Sequence, residues 1–117
     1  MLADTLKKVV DDTPGAIGAI LMGFDGIAVM QHVSDPRYDI ESVAMEMSFR
    51  FMELRCAAET LDIGRLADVT IKTERATLLC RILSDEYFVC VVLEDSAHFG
   101  KGRWILRSAV TSLLDEL

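Results

Sequence analysis

The sequence predicts a single α+β domain over residues 1–117, in which one five-stranded antiparallel sheet is covered by helices on both faces. The chain has 117 residues, which is enough for one domain and too few for two. Helical and strand-like segments follow one another in the order αββαβββα, and the short turns between strands favour antiparallel hairpins. Because 51% of the residues are hydrophobic, a core of ordinary size is available.

The first segments predict a helix followed by a β-hairpin. Residues 3–12 carry apolar side chains at helical spacing, and the Pro-Gly pair that follows ends the helix. One apolar run covers 16–22 and a second covers 27–30. Between them, Asp25-Gly26 is a strong hairpin signal, because glycine takes the positive φ that a tight turn requires.

The longest helix is predicted over residues 40–61, which contain no glycine or proline. Asp39 is the expected N-cap, and Gly64 lies where a C-terminal cap residue would. At about 100° per residue, the helix has two apolar stripes on nearly opposite sides. The first stripe consists of Ile40, Val43, Ala44, Met47, Phe51, Leu54, Ala58 and Leu61. The second stripe consists of Met45, Phe49, Met52 and Cys56. A sheet covers only one of them, so the second stripe must meet another helix of this chain or a second chain.

A polar arc runs between the two stripes on one side of the same helix. Glu46 and Arg50 are four residues apart, and Arg50 and Glu53 are three apart, so both pairs can support the helix. The arc is either an ordinary solvated face or a surface that contacts a partner. Glu46, Arg50 and Glu53 are therefore the candidate partner-binding residues.

A third strand is predicted over residues 66–72, where apolar and polar side chains alternate. Ala67, Val69 and Ile71 fall on one side, and polar residues fall on the other. This pattern is typical of a half-exposed or edge strand. The backbone of an edge strand is a natural site for pairing with another chain.

The remaining segments predict two strands and a final helix. Residues 76–83 form a mostly apolar strand, and residues 87–93 are apolar throughout. The second of these runs, like 16–22, therefore belongs in the centre of the sheet, covered on both faces. Residues 100–117 carry apolar side chains at helical spacing and form the last helix.

Charge and cysteine content exclude several classes of function. The net charge of -7 argues against nucleic-acid binding, which requires neutralisation of phosphates. No apolar run is long enough to span a bilayer, so membrane insertion is not expected. The three cysteines, Cys56, Cys80 and Cys90, lie within apolar runs, which indicates buried, reduced thiols in a cytoplasmic protein.

Catalytic and metal-binding patterns are weak. His32 and His98 lack the neighbouring partners that triads and metal sites use. Glu94-Asp95 does not supply the several spaced oxygen ligands of a calcium loop. The segment 100–103 could cradle an anion at a helix start, but it is not a P-loop, so the chain should not bind GTP itself. No catalytic residue, metal or cofactor is predicted.

The element order and two local motifs resemble the Roadblock family, which includes dynein light chain 7 and MglB-like domains. Residues 19–29 resemble its first hairpin, in which an Asp-Gly or Asp-x-x-Gly turn joins two apolar strands. Residues 88–93, a polar loop and then Gly100-Lys101-Gly102-Arg103 resemble the start of its final helix, where a Gly-x-x-Arg pattern is common. The resemblance covers nearly the whole chain and implies a Roadblock/profilin-like fold.

The resemblance also implies a dimer, either a homodimer or a heterodimer with another Roadblock protein. In such dimers the third strands join edge to edge and the second helices pack side by side. They serve as platforms for small Ras-like GTPases, as in the MglA–MglB pair, or as adaptor subunits. The implied interface residues are Met45, Phe49, Met52, Cys56, Ala67, Val69 and Ile71.

Regulation or scaffolding of a small Ras-like GTPase, including stimulation of its GTP hydrolysis, is thus the first functional hypothesis. A structural adaptor subunit without a GTPase partner is the second. A PAS- or profilin-like small-molecule sensor is a third, which the scarcity of polar groups within the apolar runs disfavours. An enzyme ranks last.

Overall fold

The computed structural model describes residues 1–95 and 98–117, and within them it contains three helices and five strands. In chain order these elements are α1 (Leu2–Asp12), β1 (Ala16–Gly23), β2 (Ala28–Val33), α2 (Ile40–Leu61), β3 (Asp68–Lys72), β4 (Ala76–Ile82), β5 (Tyr87–Glu94) and α3 (Phe99–Asp115). The predicted order αββαβββα and the predicted fold class are therefore confirmed. In these residues no helix is both long enough and apolar enough to cross a bilayer.

The five strands form one sheet in the order β2-β1-β5-β4-β3, and every neighbouring pair is antiparallel. Strands β1 and β5 lie in the interior of the sheet, as their continuous apolar runs predict. Side chains on both of their faces are buried. Strands β2 and β3 are the two edges, so each has one row of backbone groups without a neighbouring strand.

Hydrophobic clusters lie on both faces of the sheet. Helices α1 and α3 cover one face, where Leu21 and Val91 are fully buried. Helix α2 covers the other face, where the ring of Phe88 lies 5.2 Å from the rings of both Phe24 and Phe51. The Phe51 ring meets Phe88 edge-on, which is a favourable aromatic geometry. These rings fix the height of α2 above the sheet.

The first predicted stripe of α2 is buried only in part. Ile40, Ala44 and Phe51 are buried as expected, but Leu54 is 43% and Leu61 65% exposed. Ala58, which lies between them on the same stripe, is buried as expected. Leu54 and Leu61 lie about 40–60° to one side of Ala58 at 100° per residue, on the flank of the stripe. The prediction that Leu54 and Leu61 face the sheet is wrong.

The three cysteines occupy two different environments. Cys80 and Cys90 are directly opposite each other on β4 and β5, and both are buried with their Sγ atoms 2.8 Å apart. Burial raises the pKa of the Cys80 thiol, because the apolar surroundings disfavour the thiolate. Cys56 is exposed on α2, so the expectation of a buried thiol is wrong at this position. All three are unpaired as thiols.

A glycine in β1 allows α2 to approach the sheet closely. A Cβ atom at Gly18 would collide with Cδ1 of Ile40 and would lie 2.9 Å from the backbone carbonyl of His32. A carbonyl that belongs to the sheet cannot move aside as a flexible side chain can. We expect Gly18→Ala to lower the free energy of unfolding by about 1–3 kcal/mol, as measured by chemical denaturation.

Gly100 is the control for this substitution. A Cβ atom there would meet no other atom within 4 Å, so Gly100→Ala should leave stability unchanged or slightly raised. Equal stability of the Gly18→Ala variant and the unmodified protein would contradict the close approach of α2 to β1.

Candidate dimer and partner interface

Side-chain and backbone caps fix both ends of α2. The Asp39 carboxylate accepts hydrogen bonds from the Ser42 backbone N–H (3.2 Å) and hydroxyl (2.7 Å), which confirms Asp39 as the N-cap. Both hydrogen bonds lower the pKa of the Asp39 carboxyl, and the one from the Ser42 hydroxyl contributes more than the one from the Ser42 N–H. At the other end Asp62, with φ 53°, adopts the left-handed conformation that ends the helix. The cap is therefore Asp62 rather than Gly64, which also has positive φ but lies two residues further on.

Arg55 ties α2 to the end of the sheet, and the sequence offered no sign of this role. Its guanidinium lies 4.5 Å from the centre of the Phe24 ring. It also donates to the backbone carbonyl of Asp85 (3.0 Å) and to the carboxylate of Asp85 (3.2 Å). The Arg55 side chain is only 19% exposed, so the ion pair is partly shielded from solvent. The contact fixes the rotation of α2 about its axis.

The second stripe of α2 is exposed over its whole length. Phe49 is 58% exposed, Met45 and Met52 are each 41% exposed, and Cys56 is also exposed. Residues at this spacing lie on one side of a helix and extend over about 16 Å. A continuous row of this kind is typical of a protein contact surface. Assignment of these four residues to a dimer interface stays a prediction.

Strand β3 carries apolar side chains on the side of the sheet that α2 covers. Val69 and Ile71 are half-buried and pack against the cluster on the α2 face. Ala67 is exposed and lies just before β3, which begins at Asp68 rather than at residue 66. The edge position predicted for this strand is confirmed, because β3 pairs with β4 alone. Participation of Ala67, Val69 and Ile71 in a dimer stays a prediction.

The hydrogen-bond pattern of β3 shows which backbone groups face outward. The carbonyl of Ala67 accepts from β4 (2.9 Å), and the N–H of Thr73 donates to β4 (2.8 Å). In an antiparallel pair, alternate residues direct their N–H and C=O groups toward the same neighbour, so Val69 and Ile71 also point inward. The outward groups belong to Asp68, Thr70 and Lys72. The sequence prediction did not include these three residues in the interface. It considered only the apolar side chains of the strand, which lie on the other face of the sheet.

The polar arc of α2 is exposed and mostly engaged with itself. Arg50 donates from Nη1 to the Glu46 carboxylate at 3.2 Å, and its side chain remains 57% exposed. The Glu46 side chain is 73% exposed, and Glu53 is exposed as well. The intrahelical pair of Glu46 with Arg50 confirms the predicted helix support. Binding of a partner through the three residues stays a prediction.

The weaker candidates do not converge on one site. His32 lies on the edge strand β2, and His98 is the N-cap of α3 without a side-chain hydrogen bond to the helix. Among the described residues, no group of three or more His, Cys, Asp or Glu side chains is placed to hold a metal ion. Arg103, in the segment considered above as an anion cradle, contacts Asp68 at 3.4 Å.

Solved structures resemble the chain over nearly its whole length, although no family model and no curated protein sequence matches it. MglC from Myxococcus xanthus is 34% identical with a TM-score of 0.70, and the match covers 97% of each chain. A Roadblock/LC7 domain from Streptomyces avermitilis is 18% identical with a TM-score of 0.84, over 96% of this chain and 93% of that one. MglB from Myxococcus xanthus is 13% identical with a TM-score of 0.85, over 99% and 96%.

These comparisons, together with the exposed helix stripe and the open sheet edge, define an α+β interaction domain. The two more distant matches show the fold, whereas the identity to MglC over both whole chains shows common descent. The chain belongs to the Roadblock/LC7 family.

The role of Arg55 as an anchor is testable by removing its side chain. We expect Arg55→Ala to lower the free energy of unfolding by about 1–2 kcal/mol, because it deletes the contact with the Phe24 ring and the ion pair with Asp85. Arg50→Ala is the matched control on the same helix, where only an exposed intrahelical pair is lost. Its effect should stay within about 0.5 kcal/mol. Equal losses in the two variants, measured by urea denaturation, would contradict the anchor.

Proposed function

We propose that the chain forms a homodimer through α2 and β3, and that this dimer regulates or scaffolds a small Ras-like GTPase. The observation that carries the proposal is the exposed stripe of Met45, Phe49, Met52 and Cys56 on a helix whose opposite side is already buried. Large apolar side chains in contact with water favour association with a complementary surface. A second copy of α2 offers the same row of side chains.

The sequence of β3 is complementary to itself when two copies pair antiparallel about Thr70. Asp68 then lies opposite Lys72 of the second copy, which places opposite charges together on one face. On the other face Val69 lies opposite Ile71 of the second copy, on the side of the sheet that carries α2. The outward N–H and C=O groups of the paired strands satisfy one another in this register.

Ion pairs within each chain support this arrangement by holding Asp68 at the edge. Its carboxylate accepts from Arg81 at 3.0 Å and from Arg103 at 3.4 Å. Two cations therefore fix the position of one carboxylate beside the expected Lys72 of the second copy. The side chain is about two-thirds buried, with 31% exposed. Little side-chain entropy then remains to be lost when the strands pair.

A proline at the centre of the edge tests the pairing. The Thr70 N–H points away from β4, so Thr70→Pro removes no hydrogen bond within the chain, but it removes a donor that the second copy needs. We expect Thr70→Pro to fold and to sediment as a monomer at concentrations where the unmodified protein is dimeric. Thr70→Val keeps the N–H and should remain dimeric.

Analytical ultracentrifugation distinguishes these outcomes, with circular dichroism as the test of folding. A folded Thr70→Pro protein that remains fully dimeric would contradict pairing through β3. Phe49→Asp tests the helix part of the interface independently. It places a charge in the centre of the exposed stripe and should weaken the dimer at least about tenfold.

Similarity to MglC and MglB supports a regulatory or adaptor role, and we extend this role to a GTPase partner. In the proposed dimer, the two copies of α2 lie side by side and form one exposed surface. Glu46, Arg50 and Glu53 border the apolar stripe on each copy and would contact the GTPase. The segment 100–103 lacks the P-loop pattern, so the nucleotide belongs to the partner. In this proposal the chain itself catalyses no reaction. It regulates the GTPase by acting on the GTPase's own residues.

A charge reversal on the polar arc tests this surface. We expect Arg50→Glu to weaken binding to a Ras-like GTPase that binds the unmodified chain at least about tenfold, because it leaves adjacent like charges along α2. Arg75→Glu makes the same change in charge at an exposed position in the β3–β4 turn and should bind normally. Equal affinities for the two variants in biolayer interferometry would contradict the assignment of this face.

An adaptor subunit without a GTPase partner is the second candidate, supported by the same apolar surface. GTP turnover by the candidate GTPase, measured with and without the dimer, separates the two. Unchanged turnover combined with tight binding favours the adaptor, and altered turnover favours the regulator. A heterodimer with another Roadblock protein would use the same strand and helix. Free thiols at all three cysteines support a cytoplasmic location for either role.

A further inference from the structure

A second open surface lies on the opposite side of the sheet, between α1 and α3. These two helices are antiparallel, since the Met1 amino group contacts Glu116 at 2.7 Å and the other ends meet near Thr13 and Gly102. They enclose a groove of about 520 Å³. The proposed dimer and GTPase surfaces do not include this groove.

The walls and floor of the groove differ in character. Val9, Ile105 and Ala109 form an apolar floor, and the hydroxyls of Ser108 and Ser112 line the wall on α3. Small side chains on this wall let another helix approach closely. Trp104 lies at one end of the same wall and is 67% exposed, although tryptophan is among the residues that contribute most to protein interfaces.

Three charged side chains form the rim on α1. Asp4, Lys8 and Asp12 are spaced four residues apart, so they lie in one row about 12 Å long. All three are exposed, and within the described part of the chain none of them forms an ion pair within 4 Å. The rim therefore presents charge in the order acidic–basic–acidic, and none of the three side chains is held in an ion pair by another described residue.

This order opposes a contact of two copies in which all three charged positions meet. If two grooves met about a two-fold axis centred on Lys8, Asp4 of one copy would face Asp12 of the other, and the two Lys8 side chains would face each other. Like charges at every position of a contact oppose association. A different polypeptide with the opposite order of charge satisfies all three positions.

We propose that the α1–α3 groove binds an amphipathic helix of a partner protein whose edge carries basic–acidic–basic residues at positions i, i+4 and i+8. The partner's apolar stripe covers the floor of the groove and the face of Trp104, as in other helix-in-groove complexes. Its two basic residues face Asp4 and Asp12, and its central acidic residue faces Lys8. The charge order reads the same in both directions, so it determines which edge of the partner helix faces the rim but not the direction in which that helix runs. Trp104, which lies at one end of the groove, determines the direction.

Designed peptides test this inference directly. The probe is a helix-favouring peptide of about 18 residues with a leucine stripe, no aromatic residue, and Lys–Glu–Lys spaced four apart along one edge. The control peptide carries Glu–Lys–Glu at the same positions. Trp104 is the one tryptophan in the sequence, so its fluorescence reports on the groove without a label. Binding should move its emission to shorter wavelength as the indole leaves water.

We expect the Lys–Glu–Lys peptide to bind at least about tenfold more tightly than the control, with the difference shrinking as salt is added. The triple variant Asp4→Lys, Lys8→Asp, Asp12→Lys should reverse this preference. The double variant Lys7→Asp, Asp11→Lys is the matched control on the same helix. It exchanges the partners of an exposed ion pair outside the groove and should leave the preference unchanged.

Three results would overturn the inference: no shift of Trp104 emission with either peptide, equal affinity for both peptides, or the same preference in the triple variant. A change in oligomeric state caused by the triple variant would identify a second copy as the occupant and would also overturn it. The Thr70→Pro variant should bind the peptide normally, because the groove is complete within one chain. Failure of the dimer proposal is therefore distinguishable from failure of this one.

Discussion

The structure depends on one constraint: a single sheet of five strands cannot cover all the apolar surface of a 22-residue helix that has apolar side chains on two sides. Phe51, Ala44 and Ile40 cover the sheet, and Met45, Phe49 and Met52 are left in water. Strand β3, whose Val69 and Ile71 pack against the cluster on the α2 side of the sheet, is also an edge with unpaired backbone groups. Exposed apolar area and unpaired hydrogen-bonding groups thus occur together, and one second chain could satisfy both.

The aromatic cluster beneath α2 and the Arg55 contact decide which side of the helix remains exposed. Phe88 lies in the interior strand β5, between Phe24 of the hairpin turn and Phe51 of the helix. Arg55, one helical turn beyond Phe51, lies 4.5 Å from the centre of the Phe24 ring and reaches Asp85. Rotation of α2 about its axis would break both sets of contacts. The direction of the exposed stripe is therefore determined by the core rather than by the surface residues themselves.

The sequence predicts the elements well because each has a local signal. Asp25-Gly26 marks the hairpin, and Gly26 has the positive φ of 85° that this turn requires. Asp39 marks the start of α2. The errors arise where the outcome depends on distant contacts. Leu54 lies at helical spacing for burial, but it is on the flank of the stripe, and the rotation of α2 over the sheet decides whether that flank is covered. Arg55 finds its partner 30 residues away, which no local pattern shows.

The candidate interface shows the same division between local and distant information. The alternation over 66–72 identifies Val69 and Ile71 as sharing a face, and the structure agrees. The outward backbone of Thr70 depends on the register with β4, and moving that register by one residue would turn it inward. Sequence reasoning therefore finds the side chains of an edge strand more readily than the backbone groups that would pair.

Charge order distinguishes the two open surfaces of the molecule. When two copies pair about a two-fold axis, their paired segments run in opposite directions. The first residue of one segment then faces the last residue of the other. The order Asp68–Thr70–Lys72 becomes complementary to itself under this operation, which supports the proposed pairing of β3 with a second copy. The order Asp4–Lys8–Asp12 is unchanged by it, so a contact of two copies centred on Lys8 opposes like charges, whereas the proposed partner of opposite pattern satisfies all three positions. In the proposed arrangement, a chain of net charge -7 reserves one surface for a second copy and another for a different protein through the order of charges along each surface.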